Sequence, residues 1–351
     1  MASIKKPTVL HPQTRPNKIG LTVRDYEGSM STLCAGCGHD SVTAAIVRAF
    51  YEMDTPPHMI AKLSGIGCSS KTPTYFVAGA HGFNSAHGRM PPIATGANAA
   101  NKDLTYIGIS GDGDSLSIGL GHLSHAIRRN VNMLYLIENN GVYGLTKGQF
   151  SASADLGTKS KRGEANRQSP IDPVMLALSL GATFVARSFS GDKEQLVPLL
   201  KAGLAHKGFA IIDVISPCVT FNDHDGSTKS YLYTRKHLMQ VLRADFVAPA
   251  TEITTTYAEG TSTDVTLHDG SVVKLSKVSR DYDYANRESV VKQLRAMQAK
   301  GEVPTGLLFL DTKSVDMHEL GATADVPLSR VPFEKLCPGS AKLDTLQEAF
   351  R

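Results

Sequence analysis

Residues 104–114 read Leu-Thr-Tyr-Ile-Gly-Ile-Ser-Gly-Asp-Gly-Asp, an apolar β-rich run over 104–110 that ends in Gly111-Asp112-Gly113-Asp114. A helical periodicity follows at 115–129, and then a second apolar run, 131–138, closed by Asn139-Asn140-Gly141-Val142-Tyr143. The same alternation extends in both directions. Strands are predicted at 59–63, 182–187 and 209–215, and helices at 41–53, 173–180 and 192–206. Near-continuous apolar strands alternating with helices predict an α/β fold: a doubly wound, mostly parallel sheet with helices on both faces. In such sheets the site lies beyond the C-terminal ends of the strands. The Gly-Asp and Asn-Asn turns both fall there.

The 351 residues are 41% hydrophobic and 20% charged, which excludes a disordered or fibrous chain. No apolar run approaches the ~18–20 residues of a membrane span, so no membrane association is expected. The first sixteen residues, MASIKKPTVLHPQTRP, lack the apolar stretch of a secretory signal, and a cytoplasmic protein is the expectation. A net charge of +4 is too mild to imply nucleic acid, though it suits an acidic protein partner. Residues 1–30 read as a polar arm without a core element, and 31–248 as the main domain. Residues 249–351 read as an appendage: a hairpin over 264–278 about Asp269-Gly270, a helix over 286–300 stopped by Gly301, and an irregular tail holding Pro327, Pro332 and Pro338.

Chemistry is concentrated at the strand exits. Glycines at 111 and 113 let the backbone approach a ligand closely, and a helix N-terminus favours phosphate. A bare carboxylate at Asp112 would repel that phosphate unless Mg2+ lay between them. A lone Gly-Asp-Gly reads first as a structural turn. Followed one strand later by Asn139-Asn140, it points to thiamine diphosphate. Five cysteines in a reducing compartment are poor candidates for disulfides. Cys34 and Cys37 form a C-x2-C pair, and Cys68 and Cys218 each follow a predicted strand. Four thiolates converging there suit zinc or an iron–sulfur cluster, the plain alternative being that Cys68 and Cys218 are small buried residues. Cys337, in the tail, reads as a bystander. His87, Arg89 and Lys147 are candidate catalytic residues, with a hydrogen-bonded loop histidine and solvated cations as the bland readings. His122 and His125, three apart on one helix, read as packed core histidines, and Asp281, Asp283 and Arg287 as a turn with an ion pair.

Six segments occur in the order of a known family: CAGCGH (34–39), GIGCSS (65–70), HGRMPPIATG (87–96), GDGD (111–114), NNGVYGLTKGQ (139–149) and SPCVTFN (216–222). Over about residues 25–223 the chain resembles the β subunits of the 2-oxoacid:ferredoxin oxidoreductases, and is most similar to the 2-oxoglutarate type. The resemblance implies a thiamine-diphosphate domain carrying one [4Fe-4S] cluster. It implies Cys34, Cys37, Cys68 and Cys218 as cluster ligands, and the Asp112 and Asn140 side chains with the Val142 carbonyl as Mg2+ ligands. Ile66, Gly67, Cys68, Ser69, Gly111, Gly113, Asp114, Gly144 and Leu145 would line the cofactor. The implied activity is oxidative decarboxylation of 2-oxoglutarate with coenzyme A to succinyl-CoA and carbon dioxide, ferredoxin taking the electrons. The same chemistry on pyruvate or a branched 2-oxoacid is the alternative, and a non-catalytic metal-binding scaffold the alternative of another class. The implied partner is an α subunit carrying the pyrimidine module, in an α2β2 assembly. Asn84 stands where the family commonly has histidine, and the tail after Leu310 has no family counterpart.

Overall fold

The computed structural model describes residues 15–242, 262–266, 272–276, 282–337 and 339–350. In chain order the strands are β1 (Ile60–Ser64), β2 (His81–Asn84), β3 (Thr105–Gly111), β4 (Met133–Asn139), β5 (Val142–Tyr143), β6 (Gln149–Phe150), β7 (Phe184–Phe189), β8 (Phe209–Ile215), β9 (Leu238–Leu242), β10 (Ser262–Thr266), β11 (Val272–Ser276) and β12 (Val303–Leu310). Eight of them form one sheet in the order β2-β1-β3-β4-β8-β7-β12-β9. Every pairing from β2 to β7 is parallel. β12 then runs antiparallel to β7, with β9 parallel to β12 at the edge. The predicted α/β class and mostly parallel sheet are what the molecule has.

Alternate residues of each central strand enter two different cores, as the pleat requires. Met133, Tyr135 and Ile137 of β4 pack with helices α2 (Met90–Ala100), α3 (Leu120–Arg128) and α4 (Pro173–Leu180). Leu134 and Leu136 face α1 (Gly38–Glu52) and α5 (Lys193–Ala205) on the other side. Local chemistry sets the helix ends. Asp172 caps α4 by accepting from the Val174 and Met175 amides, Pro173 opens it, and Gly181 closes it at φ 90°. Asp192 caps α5 through the Gln195 amide.

Several elements depart from the sequence reading. The helix expected over 115–129 begins as a π-helical turn, Gly113–Ile118, and resumes as α3 only after Gly119. The wide turn is closed by the Gly119 amide donating to the Asp114 carbonyl at 2.8 Å, and such turns cluster at functional sites. The polar 15–30 stretch does put a ring into the core: Tyr26 is fully buried against α1, edge-on to Tyr51, and Asn17 donates to its hydroxyl. In the C-terminal region β10 and β11 pair as a hairpin, whose Asp269-Gly270 turn lies outside the described residues. Helix α6 (Tyr231–His237) precedes β9, and α7 (Arg287–Ala299) is capped by Asn286. β12 then enters the main sheet, so Val290, Leu294, Leu308 and Phe309 join the main core. Arg287 makes no ion pair with Asp283. Its guanidinium donates to the Leu178 and Ala182 carbonyls at the end of α4 and lies over the Phe309 ring. Asp281 and Pro338 lie outside the described residues. No helix among the described residues is long and apolar enough to cross a membrane.

Candidate functional site

β3 and β4 are neighbours in register, Gly111 opposite Glu138, so the residues leaving both strands meet at one edge. Asp112, 1% exposed, sits at that meeting point. Its carboxylate accepts from the Gly141 amide at 3.0 Å and the Asn140 amide at 3.3 Å. The Ser153 hydroxyl lies 2.6 Å away, and the Ser151 hydroxyl donates to the same oxygen. Burial pushes the Asp112 carboxyl above the usual carboxylate range, and the two serine hydroxyls pull against it. Asn140 turns back through its side-chain oxygen, which accepts from the Val142 amide at 3.1 Å. Ser151 and Ser153 arrive because β5 and β6 fold the chain back on itself, pairing Val142 with Phe150.

Asp114 does different work. It accepts from the Gly88 amide at 2.7 Å, the Ser110 hydroxyl at 2.6 Å, the Ile66 amide at 3.3 Å and the Nδ1 of His87. One carboxylate thus ties together the loops after β1, before α2 and after β3. His87 is held at the edge of the site, edge-on to the Tyr143 ring. The Tyr143 hydroxyl donates to the Gly113 carbonyl at 3.0 Å, and a Cβ on Gly113 would come within 2.5 Å of that ring. Glycine is required there by close approach.

Between these loops is a crevice of about 70 Å3. All the residues expected to line the cofactor face it, together with Asn140, Val142 and His87. Arg89 and Lys147 do not; both are exposed, and Lys147 holds a left-handed backbone at φ 79°. Four wall residues carry no expectation from the sequence: His39, Glu138, Tyr143 and Thr146. His39 belongs to the CAGCGH segment, which gives it no role of its own, and a lone Glu138 inside an apolar run is no signal of one. Asn84, at the end of β2, accepts a hydrogen bond from Ser64 at 3.1 Å. His122 is half-buried and His125 exposed, so neither is a packed core histidine; α3 turns this face away from the sheet.

The cysteine loops come to the same end of the sheet. Cys37 caps α1, Cys68 opens the 3-10 turn Ser69–Thr74, and Cys218 follows β8. A Cβ on Gly144 would lie 3.3 Å from the Cys68 sulfur and 3.8 Å from that of Cys218. The Gly38 amide donates to the Pro217 carbonyl at 3.3 Å, joining the C-x2-C loop to the Cys218 loop. Cys34 is exposed, and Cys37, Cys68 and Cys218 are half-buried. Burial pushes the Cys37 thiol up to about 12. Among the described residues no three His, Cys, Asp or Glu side chains are gathered as metal ligands would be. Cys337 lies exposed in the tail.

A buried polar cluster underlies the crevice. Glu138, fully buried, accepts from the Thr72 hydroxyl at 3.0 Å. His39, 1% exposed, has Nδ1 at 2.7 Å from the Ser216 hydroxyl and 3.5 Å from a Glu138 oxygen. Burial drives both toward neutrality, Glu138 well above the usual carboxylate range and His39 down to about 4. A larger cavity, about 420 Å3, lies beyond Ser153; on its walls Arg187 pairs with Asp172 and Asp213 and Lys229 with Asp155, and Glu302 is a further carboxylate.

Comparison with known proteins agrees with this geometry. The family model for the thiamine pyrophosphate enzyme C-terminal TPP-binding domain matches residues 65–214. The 2-oxoacid:ferredoxin oxidoreductase subunit beta of Saccharolobus solfataricus is 44% identical over 191 residues, 54% of this chain and 63% of that protein. The 2-oxoglutarate synthase subunit KorB of Methanocaldococcus jannaschii is 36% identical over 189 residues, 54% of this chain and 69% of that one. The chain therefore spans less than two thirds of the first of these relatives and slightly more than two thirds of the second. A solved structure, the 2-oxoglutarate:ferredoxin oxidoreductase from Magnetococcus marinus with 2-oxoglutarate, coenzyme A and succinyl-CoA bound, superposes with a TM-score of 0.71. It is 28% identical, and the likeness covers 88% of this chain and 91% of that one. On fold, motif order and these likenesses, the chain belongs to the β-subunit family of the 2-oxoacid:ferredoxin oxidoreductases.

Proposed function

We propose that the chain is the β subunit of a thiamine-diphosphate-dependent enzyme that oxidatively decarboxylates 2-oxoglutarate with coenzyme A to succinyl-CoA and carbon dioxide, passing electrons through a [4Fe-4S] cluster to ferredoxin. The observation that carries the reading is the buried Asp112 at the exit of β3, facing Asn140 and Val142 at the exit of β4, with Cys68 on the same crevice wall. Two amides and two hydroxyls donate to this buried carboxylate but none carries positive charge, and a divalent ion bridging it to a diphosphate would supply that charge. The glycines fit as well: a Cβ at Gly113 would lie 2.5 Å from the Tyr143 ring and one at Gly111 2.9 Å from the Ser69 hydroxyl, while one at Gly144 would be a tight 3.3 Å from the Cys68 sulfur.

When bound, thiamine diphosphate would supply the nucleophile for the 2-oxo carbon and the cluster would accept electrons one at a time. The chain's own residues hold and orient. Asp112, Asn140 and the Val142 carbonyl would hold Mg2+; Cys34, Cys37, Cys68 and Cys218 would hold the cluster. Asp114 fixes His87 at the crevice edge, where its ring can meet a substrate carboxylate or a proton. Lys147, next to the wall residue Thr146, and Arg89, two residues from His87, are the proposed cations for the distal carboxylate. The relatives' names support an α-subunit partner, and the 2-oxoglutarate bound to the Magnetococcus marinus enzyme supports that substrate here. The broader name of the Saccharolobus solfataricus relative keeps pyruvate or a branched 2-oxoacid as the second reading.

The test is thiamine diphosphate and iron content of the purified protein, followed by titration of thiamine diphosphate into Asp112→Ala. The unaltered protein is expected to be brown, and Asp112→Ala to bind thiamine diphosphate roughly 100-fold more weakly or worse with its fold intact. Full cofactor binding by Asp112→Ala refutes the Mg2+ assignment, and a colourless zinc protein returns the scaffold reading. For substrate, Lys147→Met should raise KM for 2-oxoglutarate more than for pyruvate, which has no second carboxylate to lose.

A further inference from the structure

A glutamate in the middle of an apolar parallel sheet needs a reason. Glu138 is the sixth residue of β4, flanked in register by Gly111 and Val214, and no solvent reaches it. Burying a carboxyl group there costs several kcal/mol unless its hydrogen bonds do something for the molecule. Its hydrogen bonds from Thr72, with a 3.5 Å contact to His39 and the bond His39 makes to Ser216, connect the three cysteine-bearing loops. Thr72, which donates to Glu138, lies on the 3-10 turn that Cys68 opens. His39, whose ring reaches Glu138, is two residues after Cys37. Ser216, which shares Nδ1 of that ring, is two residues before Cys218. Backbone spacing is arranged to suit: a Cβ on Gly38 would lie 2.5 Å from the Ser216 hydroxyl, so only glycine lets the two loops close to this distance.

We propose that His39, Thr72, Glu138 and Ser216 form one buried clamp that sets the mutual positions of the Cys37, Cys68 and Cys218 loops, and are therefore positioning residues for the [4Fe-4S] cluster. The inference rests on the cluster reading above and goes beyond it, since none of the four is a ligand. Partners one layer out from metal ligands orient them and tune the metal, and losing one commonly costs 10–100-fold in affinity. Each member reaches its neighbours through one side-chain group: the Thr72 hydroxyl spans both Glu138 oxygens at 3.0 and 3.1 Å, and Nδ1 of His39 lies between Glu138 and Ser216. A change in one therefore frees one loop relative to the other two without emptying the core.

Three variants of the full chain test this, each reconstituted with ferrous iron and sulfide under anaerobic conditions. Thr72→Val keeps the shape and removes the hydroxyl, Thr72→Ser restores it, and Glu138→Gln keeps the size and changes the group. Thr72→Val and Glu138→Gln are expected to bind iron, to lose it to a chelator roughly tenfold faster, and to show a displaced midpoint potential and an altered electron paramagnetic resonance spectrum. Thr72→Ser should match the unaltered chain in all three readouts, which a general loss of stability would not arrange. Iron held by Thr72→Val and Glu138→Gln with unchanged release, potential and spectrum overturns the clamp alone. If the unaltered chain itself takes up no iron, the cluster reading falls and the clamp falls with it.

Discussion

Two aspartates two residues apart, Asp112 and Asp114, have separate tasks. Asp112 gathers the residues that leave β4 and the β5–β6 reversal, accepting from the Asn140 and Gly141 amides and the Ser151 and Ser153 hydroxyls; Asp114 ties the loops after β1 and before α2 to β3. Gly65 shows how tightly that second task is built, because a Cβ there would lie 1.7 Å from an Asp114 oxygen. Gly65→Ala must expel the carboxylate from its donors. The expected result is a destabilisation of roughly 1–3 kcal/mol from overpacking, with weakened thiamine diphosphate binding as His87 and Ile66 lose their anchor. Thermal melts and a cofactor titration check it; an unshifted melting temperature with normal binding would show that Asp114 is dispensable. At this scale the sequence is legible where a residue type is tied to a turn after a strand, as with the placement of Asp112, Asn140, Cys68 and Cys218 beyond the strand ends. It is silent on Ser151 and Ser153, since a Ser-Ala-Ser stretch has no period and reaches Asp112 only through the small β5–β6 reversal.

Among elements, the central parallel strands β1, β3, β4, β7 and β8 are legible because each is apolar on both faces, whereas the parallel edge strand β2, four exposed residues, has no such pattern; helices are legible where caps such as Asp172 and Gly181 mark their ends. β12 does not read as a strand: Pro304 and Gly306 interrupt it, and it enters the sheet against the direction of its neighbour. The π-helical turn after Gly113 is hidden by an unbroken helical periodicity. One buried tie between elements is ionic. Arg187 on β7 lies between Asp213, its register partner on β8, and Asp172, the cap of α4, at 2.7 and 2.6 Å. Burial alone would push the Asp172 carboxyl up, yet the Arg187 guanidinium and the α4 amides hold it below the usual range. A lowered native value means that this stability is present above the ordinary carboxylate pKa, near 4, and is lost as pH falls below it. Arg187→Ala leaves Asp213, itself 2% exposed, without its cation and should cost roughly 3–5 kcal/mol at neutral pH. It should also flatten the acid limb of stability, because the carboxyl of Asp172 then gains less by ionising. Denaturant titrations of both proteins at pH 7 and pH 3 give the comparison, and equal losses at the two pH values would sink it.

For the whole molecule, the question is how one chain uses a crevice of only about 70 Å3. That volume would take only part of an extended cofactor, and a partner's surface would take the rest. The wall contains one glutamate, Glu138, which is fully buried and occupied by Thr72, so it is not free to activate the far end of the cofactor. Beside the exposed Arg89 and Lys147, three large apolar side chains on this side of the molecule are also open to solvent. Leu145 on the wall is 50% exposed, Ile118 at the end of the π-helical turn 44%, and Phe83 on the edge strand β2 41%. All four residues of β2 are exposed, and among the described residues its outer edge pairs with no other strand. A partner subunit that completes the site would cover them. The chain alone should therefore turn over no 2-oxoglutarate with a viologen dye as acceptor and should self-associate in sedimentation, while the pair co-expressed with its α subunit should be active and discrete. Phe83→Glu tests whether this is the covered face. It should leave the melting temperature of the isolated chain within about 0.5 kcal/mol equivalent, as a surface change does, but reduce recovery of the pair and its turnover together. Full activity from the single chain would mean that the completing carboxylate lies within it, and an undiminished Phe83→Glu pair would place the partner on a different face.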